Sequence, residues 1–560
     1  MKKYIAFLKL HGAAAFVCCV ILTIGCTDKF DEINTNKNAL ANLETAQLPF
    51  LFAKAEQMGT GSGWNYQIAQ NLFHDQYVQY FANTTTYFPS DRLVIRMDWI
   101  PAAWNPIYTQ TMPQLLTLME NYDPGSAEYA LANIWWVESF HRVTDTWGPI
   151  PYFKAGIPAE SVPYDDMDVI YDDFFKRLAD AVTVLKGKTG ESPYGDYDII
   201  YNGSVDKWIK FANTLRLRLA IRISGVDATR AKTEAEAAVA SGVMTTSPAD
   251  DALIKKSNTG GDINGLSVMD WNEFRMSAAM ESVLKGYSDP RMPVYFEPTK
   301  QSWQANEVAN GKDATDDGSN FNPDDLAHPL DYNGLRNGLT SAQMALPLNK
   351  ADANSRHGAR WNSSSNAIRF LGKDYTSGLE APVNVMCAAE AWFCRAEGAL
   401  LGWNMGGGTA QEYYEKGIET SMNQWGITDA AVIDAYINNT DLPVAPGDAL
   451  SSPPAADVPV LFGGSLAVQK KQINLQKWLA LFPDGVEAWA DQRRAGVIKL
   501  YPVANSDNPD IPDPTTQYIR RINFITDEKT TNGAEVEKAV NLLGLGGDKI
   551  TTPLWWDVNP

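Results

Sequence analysis

VNVMCAAEAWFCRAEGALLGW, Val383–Trp403, followed after a glycine turn by TAQEYYEKGIETSMNQWGI, Thr409–Ile427, is the stretch on which the fold turns. In the first half, Ala389, Phe393, Ala396 and Leu400 recur at helical offsets and line one face. Gly406 to Gly408 then supply a turn, and Tyr414, Ile418 and either Ser421 or Met422 form the matching stripe of a second helix before Trp425. Small alanines between bulky aromatics let two antiparallel helices approach closely, so the pair reads as a helical hairpin.

That hairpin, residues 385–430, is of the tetratricopeptide type, although no clean 34-residue repeat runs through the chain. Outward from it, helical patterning dominates. Ala127 to Thr144 carries Leu131, Ile134, Trp135 and Glu138 at three- and four-residue spacing and stops before Gly148, Pro149 and Pro151. Asp165 or Asp166 caps a further helix with a stripe of Ile170, Phe174, Leu178 and Val182. WIKFANTLRLRLAIRI, Trp208–Ile223, alternates like a strand across Leu215 to Leu219, but its length favours helix; Arg216, Arg218 and Arg222 are expected at the edge of its buried face. LFHDQYVQYF is read as helix, with Tyr77 and Phe81 on one face. After a Pro-rich linker, Leu442 to Pro459, Pro483 to Gly485 divide INLQKWLALFPDGVEAWADQRRAG into two helices. Residues 245–384 are rich in turn formers and read as a loop-dominated variable region with a few helices. The expected fold is mainly α: a tetratricopeptide-like helical scaffold with a loop-rich insertion, forming one body over residues 40–560.

The N-terminus carries a different signal. Lys2, Lys3 and Lys9 precede the short apolar run GAAAFVCCVILTIG, the pattern of a secretory signal and too short for an ordinary membrane anchor. Gly25 places a small residue before Cys26, as lipoprotein signal peptidase requires, although Thr23 stands where a leucine is usual. Residues 1–25 are therefore read as a lipoprotein signal peptide, Cys26 as the lipidation site and residues 26–39 as a polar tether, against the alternative of an ordinary signal cleaved elsewhere. With Cys26 acylated, the mature chain is expected on a membrane surface, with its acyl chains in the bilayer.

The formal charge of −20 becomes −23 once the three signal lysines leave, which disfavours nucleic acid and other polyanions. Five cysteines exclude a disulfide-rich scaffold, and Cys387 and Cys394 are expected as small core residues. The sequence contains no phosphate loop, HExxH pair, CxxC or GxSxG elbow. His11, His74, His141, His328 and His357 are isolated from one another, and His141 reads as a packed histidine. No cofactor is expected. Asp316, Asp317, Asp324 and Asp325 could hold a structural calcium through oxygen, but their spacing is not that of an EF-hand and an acidic solvated loop is the simpler reading.

Taken together, these blocks resemble the SusD/RagB family of Bacteroidetes outer-membrane lipoproteins, in its SusD-like subgroup. FDEINTNKN after Cys26, DTWGPIPY (Asp145–Tyr152), the Trp208–Ile223 helix, AEAWFCRAEGALLGW, QKWLALFPDGVEAWADQRRAG, RRINFITDEKTTN and the terminal TTPLWW occur in the family's order. The resemblance implies four tetratricopeptide-like helix pairs and a location at the cell surface, lipid-anchored in the outer membrane. It also implies non-catalytic binding of a nutrient, usually an oligosaccharide, and its delivery to a SusC-like TonB-dependent outer-membrane transporter. The matched blocks are scaffold, so Trp208, Trp392 and Trp478 are expected in the core, with one of Trp555 and Trp556 pinned inward.

Ligand residues are not carried over by any motif and must be argued from chemistry. A sugar has an apolar C–H face and a hydroxylated rim, so an aromatic ring beside Asn, Asp, Gln or Arg suits both. Trp64 with Asn65, Tyr87 and Phe88, Trp303, and Trp361 with Arg360 and Asn362 have that company, and Trp303 or Trp361 is the expected platform. Two other readings stay open: a surface module binding peptide or protein for a similar uptake complex, and a lipid-anchored glycoside hydrolase, whose paired carboxylates no motif would reveal.

Overall fold

The computed structural model describes residues 45–60, 63–497 and 500–559; Cys26 and the segments around it lie outside them. The longer helices are α1 (Leu48–Gly59), α2 (Met112–Asn121), α3 (Ala127–Trp147), α4 (Met167–Lys186), α5 (Val205–Arg222), α6 (Ala228–Ser241), α7 (Ala278–Gly286), α8 (Lys300–Ala309), α9 (Ala388–Leu400), α10 (Ala410–Gln424), α11 (Ala430–Ile437), α12 (Leu466–Leu481), α13 (Gly485–Ala495) and α14 (Gly533–Leu542). Helix pairs α3/α4, α5/α6, α9/α10 and α12/α13 pack in series, with α4 against α5, α5 and α12 both against α9, and α13 returning to α3. The protein is thus mainly helical, on a tetratricopeptide-like scaffold.

Local chemistry starts these helices where patterning predicts. Ser126, Asp166, Asp227, Ser465 and Asp484 each accept a first-turn backbone N–H, and Thr409 with Glu412 forms a reciprocal capping box at α10. In the α9/α10 hairpin a Cβ at Gly417 would sit 2.7 Å from the Phe393 ring, so only glycine permits this approach. Trp208 and Trp478 are buried, Trp392 is half-buried with Nε1 donating to the Thr245 carbonyl, and Cys387 and Cys394 are buried free thiols. Of the terminal pair, Trp556 is the one held inside, its Nε1 donating to Asp145 Oδ1 at 2.8 Å.

Four sequence expectations need correction. Arg218 and Arg222 do not edge the α5 face; they are buried, because α9 and α13 bring carboxylates to them. Arg218 meets Glu390 through two 2.7 Å hydrogen bonds, and Arg222 meets Glu487 at 2.5 Å. Glu138 and His141 of α3 complete this interior cluster. Next, the helix expected through Tyr77 and Phe81 ends sooner: a π-helix covers Gln67–Asp75, Gln79 turns left-handed at φ 54°, and Phe81 opens a strand. Residues 245–384 also contain strands. Pairs β1 (Phe81–Asn83) with β3 (Phe274–Met276), β2 (Ala252–Ile254) with β6 (Val383–Met386), and β4 (Ile368–Phe370) with β5 (Lys373–Tyr375) are all antiparallel. Finally, the Leu442–Pro459 stretch is a strap rather than a free linker, since Val444 exchanges hydrogen bonds with Ser282 of α7 in both directions. Among the described residues no helix is long and apolar enough to cross a membrane.

Candidate functional site

A turn at Gly63–Asn65 and a second at Gly265–Trp271 lie against each other, so closely that a Cβ on Gly265 would fall 2.2 Å from Tyr66 Cβ. This contact sets Trp64 beside Trp271, with rings 3° from parallel and centroids 6.2 Å apart. Both indoles are about half exposed, at 51% and 48%, which is uncommon for side chains of this size. Asn65 is exposed beside them. The β1–β3 pairing then draws in a third segment: Thr84 N–H donates to the Glu273 carbonyl at 2.8 Å, Thr84 Oγ1 donates to the Asn272 carbonyl, and Gln67 Nε2 donates to Glu273 Oε2. Tyr87, 76% exposed, projects from that segment. The Trp64–Trp271 pair with adjacent Asn, Gln and Glu groups makes a surface suited to a ligand that is apolar on its face and polar at its rim.

The remaining candidates are placed differently. Phe88 is buried against Phe274 and Trp99. Trp303 on α8 is also buried; its Nε1 donates to the Thr315 carbonyl and its ring packs edge-on to Phe370 within a core of Phe321 and Ala359. Neither can offer a ring face to a ligand, because each is the anchor of its loop. Asn362 spends its Nδ2 on the Ala359 and Thr376 carbonyls and its Oδ1 on the Ser364 N–H, so it holds the loop. Trp361 is wedged between Trp425 and Phe482. Arg360 is half-buried, with its guanidinium 4.7 Å from the Trp425 centroid and 5.3 Å from that of Trp361. Trp303 and Trp361, either of which is the platform expected from sequence, are therefore both interior packing, while Trp64, Trp271 and Tyr87 are exposed. Sequence reasoning passed over Trp271, although VMDWNEF shows the same aromatic-with-Asn pattern that singled out Trp64.

Tyr66 and the start of the second turn, Gly265 and Leu266, line a cavity of about 90 Å³ whose wall also includes Arg142, Arg360, Trp361, Trp425 and Asp484. Arg142 is fully engaged, with both carboxylate oxygens of Asp484, with Glu138 and with the Val385 carbonyl. Asp251 also lines this cavity, its acid pushed up to about 6 by burial.

The acids near the platform are also committed. Asp270 pairs with His357 Nε2 at 3.1 Å and accepts the Ser363 N–H; its carboxyl lies well below the usual range, burial being outweighed by His357 and Arg356. Asp316 pairs with Lys300, and Asp317 accepts the Ser319 N–H in its own turn. Among the described residues no group of three or more His, Cys, Asp or Glu converges to hold a metal ion.

Comparison with known proteins places this geometry. The model of the SusD-like family, described as SusD and RagB outer membrane lipoproteins, matches residues 28–557. No curated protein matches the sequence. Among solved structures, a chitin-binding SusD homolog from Flavobacterium johnsoniae is 34% identical with a TM-score of 0.77, covering 92% of this chain and 99% of its own. A SusD homolog from Bacteroides uniformis is 30% identical with a TM-score of 0.74, covering 92% and 100%. Another from Bacteroides vulgatus is 29% identical with a TM-score of 0.75, covering 91% and 97%.

Proposed function

The chain belongs to the SusD-like family, the SusD and RagB outer membrane lipoproteins, and from that membership we propose that it binds an oligosaccharide at the cell surface without cleaving it. The observation that carries this reading is the half-exposed, near-parallel pair Trp64 and Trp271. A pyranose stacked on such a surface covers apolar area that water otherwise meets, while Asn65 and the rim groups exchange hydrogen bonds with its hydroxyls.

The same reading assigns Cys26 as the acylated residue that holds the body to the outer leaflet, and a SusC-like TonB-dependent transporter as the acceptor of the captured glycan. Chitin oligosaccharides are the first ligands to test, because a relative of 34% identity is a chitin-binding protein. Calorimetric titration with a panel of chitin, β-glucan, starch and mannan oligosaccharides, followed by chromatography of the ligand, is the experiment. Saturable binding with intact ligand recovered supports the reading. Shortened products point to a hydrolase, and binding of peptides alone points to a peptide module.

A further inference from the structure

The turn that carries Trp271 is held by a buried ion pair. Asp270, the residue before Trp271, reaches the 356–363 segment. Its Oδ1 lies 3.1 Å from His357 Nε2 and 3.8 Å from Arg356 Nη1, and its Oδ2 accepts the Ser363 N–H at 2.5 Å. On the other side of Trp271, Asn272 is left-handed at φ 69°; its carbonyl accepts from Thr84 Oγ1 and its Oδ1 from Arg275. Trp271 thus stands between two anchored neighbours, and its place beside Trp64 depends on both.

The surroundings of His357 set its protonation. The residue is 1% exposed. Its Nδ1 lies 3.0 Å from the Gly358 carbonyl oxygen, which only accepts, so Nδ1 carries a hydrogen. In a neutral ring Nε2 would then present its lone pair to a carboxylate oxygen 3.1 Å away. A hydrogen on each nitrogen removes that conflict and makes the ring an imidazolium. The facing charges agree. The anions are Asp270 from the turn and Glu297 from the segment that bridges His357 through Phe296; the other cation is Arg356, whose Nε meets Glu297 at 2.5 Å. Two cations then face two anions, whereas a neutral ring leaves a buried negative charge in excess. Farther out, Arg275 and Asp352 are opposite in sign, and burial pushes the Tyr332 and Tyr375 phenols upward, so both stay neutral.

A charged imidazole attracts the Asp270 carboxylate; a neutral one repels it. We propose that His357 is a positioning residue whose charged form holds Asp270, and with it the Trp271 half of the ligand surface, so that the surface loosens when the ring loses its proton. Imidazoles exchange this proton between about pH 5 and about pH 8. Glycan affinity therefore falls as pH rises, and by linkage glycan binding draws a proton onto His357. The assignment rests on the glycan reading of the Trp64–Trp271 surface and adds to it the group that regulates it.

The test labels the soluble chain from residue 27 with 5-fluorotryptophan, the Trp271 signal being assigned by Trp271→Phe, and with nitrogen-labelled histidine, the His357 ring being assigned by His357→Gln. Both signals are followed by NMR from about pH 5.5 to about pH 8.5, and calorimetry with chitopentaose and cellopentaose is run at the two ends. Thermal melting confirms that His357→Gln folds; Asp270→Asn replaces it if it does not. The expected result is that the Trp271 signal shifts over the same step in which His357 loses a ring proton, and that the variant lacks the step. Affinity in the parent should fall about fivefold or more across that step, the low end of coupling between linked sites, and stay level in the variant. A Trp271 signal that does not follow His357, or that keeps its step in the variant, overturns the proposal. Level affinity for a glycan that the parent binds also overturns it. A Trp271 step with neither glycan bound overturns the glycan reading for these ligands and leaves the hold of His357 on Trp271 standing.

Discussion

Replacing Trp64 by alanine separates the ligand surface from the scaffold. The side chain is 51% exposed, which at roughly 250 Å² for a whole indole leaves on the order of 125 Å² facing water. A sugar ring that covers about 100 Å² of it gains ~2.5 kcal/mol at ~25 cal/mol per Å². Because parent and variant form complexes of the same shape, the cost of association cancels in the comparison. Trp64→Ala should therefore weaken the bound glycan roughly 70-fold, and Trp271→Ala, starting from 48% exposure, by a similar factor. Neither should lower the melting temperature appreciably, since half of each ring already lies in solvent. Trp303→Ala is the opposite control: its ring is 2% exposed, so the change should cost about 3–5 kcal/mol of stability with binding retained below the lowered melting point. Calorimetry and thermal denaturation read both quantities. Unchanged affinity in a folded Trp64→Ala, or loss of binding confined to Trp303→Ala, would refute the assignment of the surface.

Four other outcomes follow from the scaffold and the N-terminus. Arg218→Met strands Glu390 in the interior and should destabilise the fold by about 3–5 kcal/mol, whereas Arg218→Met with Glu390→Met should lose less than the two single changes summed; denaturant titration measures both. His74 is held down to about 3, mainly by burial and then by Arg493, against 6.5 when unfolded. The unfolded chain therefore takes up a proton that the folded chain refuses, so the contribution is whole above pH 6.5 and is lost as pH falls toward 3. At pH 5 this is about 2 kcal/mol, and His74→Gln should remove that part of the pH dependence of stability. Cys394 is pushed up to about 12 and Cys387 also upward, both chiefly by burial; native protein should resist thiol reagents that react at once after denaturation. Cys26→Ala should release the protein from the membrane fraction, while retention there, with an unacylated N-terminus by mass spectrometry, would count against lipidation.

Helix positions were legible in the sequence because they depend on neighbours three and four residues away. The α9/α10 hairpin, a cap at Asp165 or Asp166 and one inward indole of the Trp555–Trp556 pair all follow from such patterns or from the cost of exposing an indole. What escaped was decided by partners hundreds of residues distant. Arg218 and Arg222 look like edge cations until Glu390 and Glu487 arrive from α9 and α13, and their sequence separations of 172 and 265 carry no local signature. The same holds at the site. Trp303 and Trp361 sit among polar neighbours just as Trp64 does, yet tertiary packing buries the first two and leaves the third in solvent. The short strands of residues 245–384 were missed because three-residue pairs have too little alternation to stand out from loop.

The Trp556–Asp145 hydrogen bond has a consequence for biogenesis. It joins side chains 411 residues apart, and the same Asp145 oxygen accepts from Tyr171, while the Trp556 ring lies 5.3 Å from Arg222 and 5.0 Å from Arg493. The keystone of the interior thus ties together segments that are far apart along the chain. A ribosome must make the 411-residue span from Asp145 to Trp556 before this arch can close, and contacts so remote in sequence close slowly. An emerging chain that cannot lock prematurely stays threadable, the condition a secretory channel imposes on its cargo.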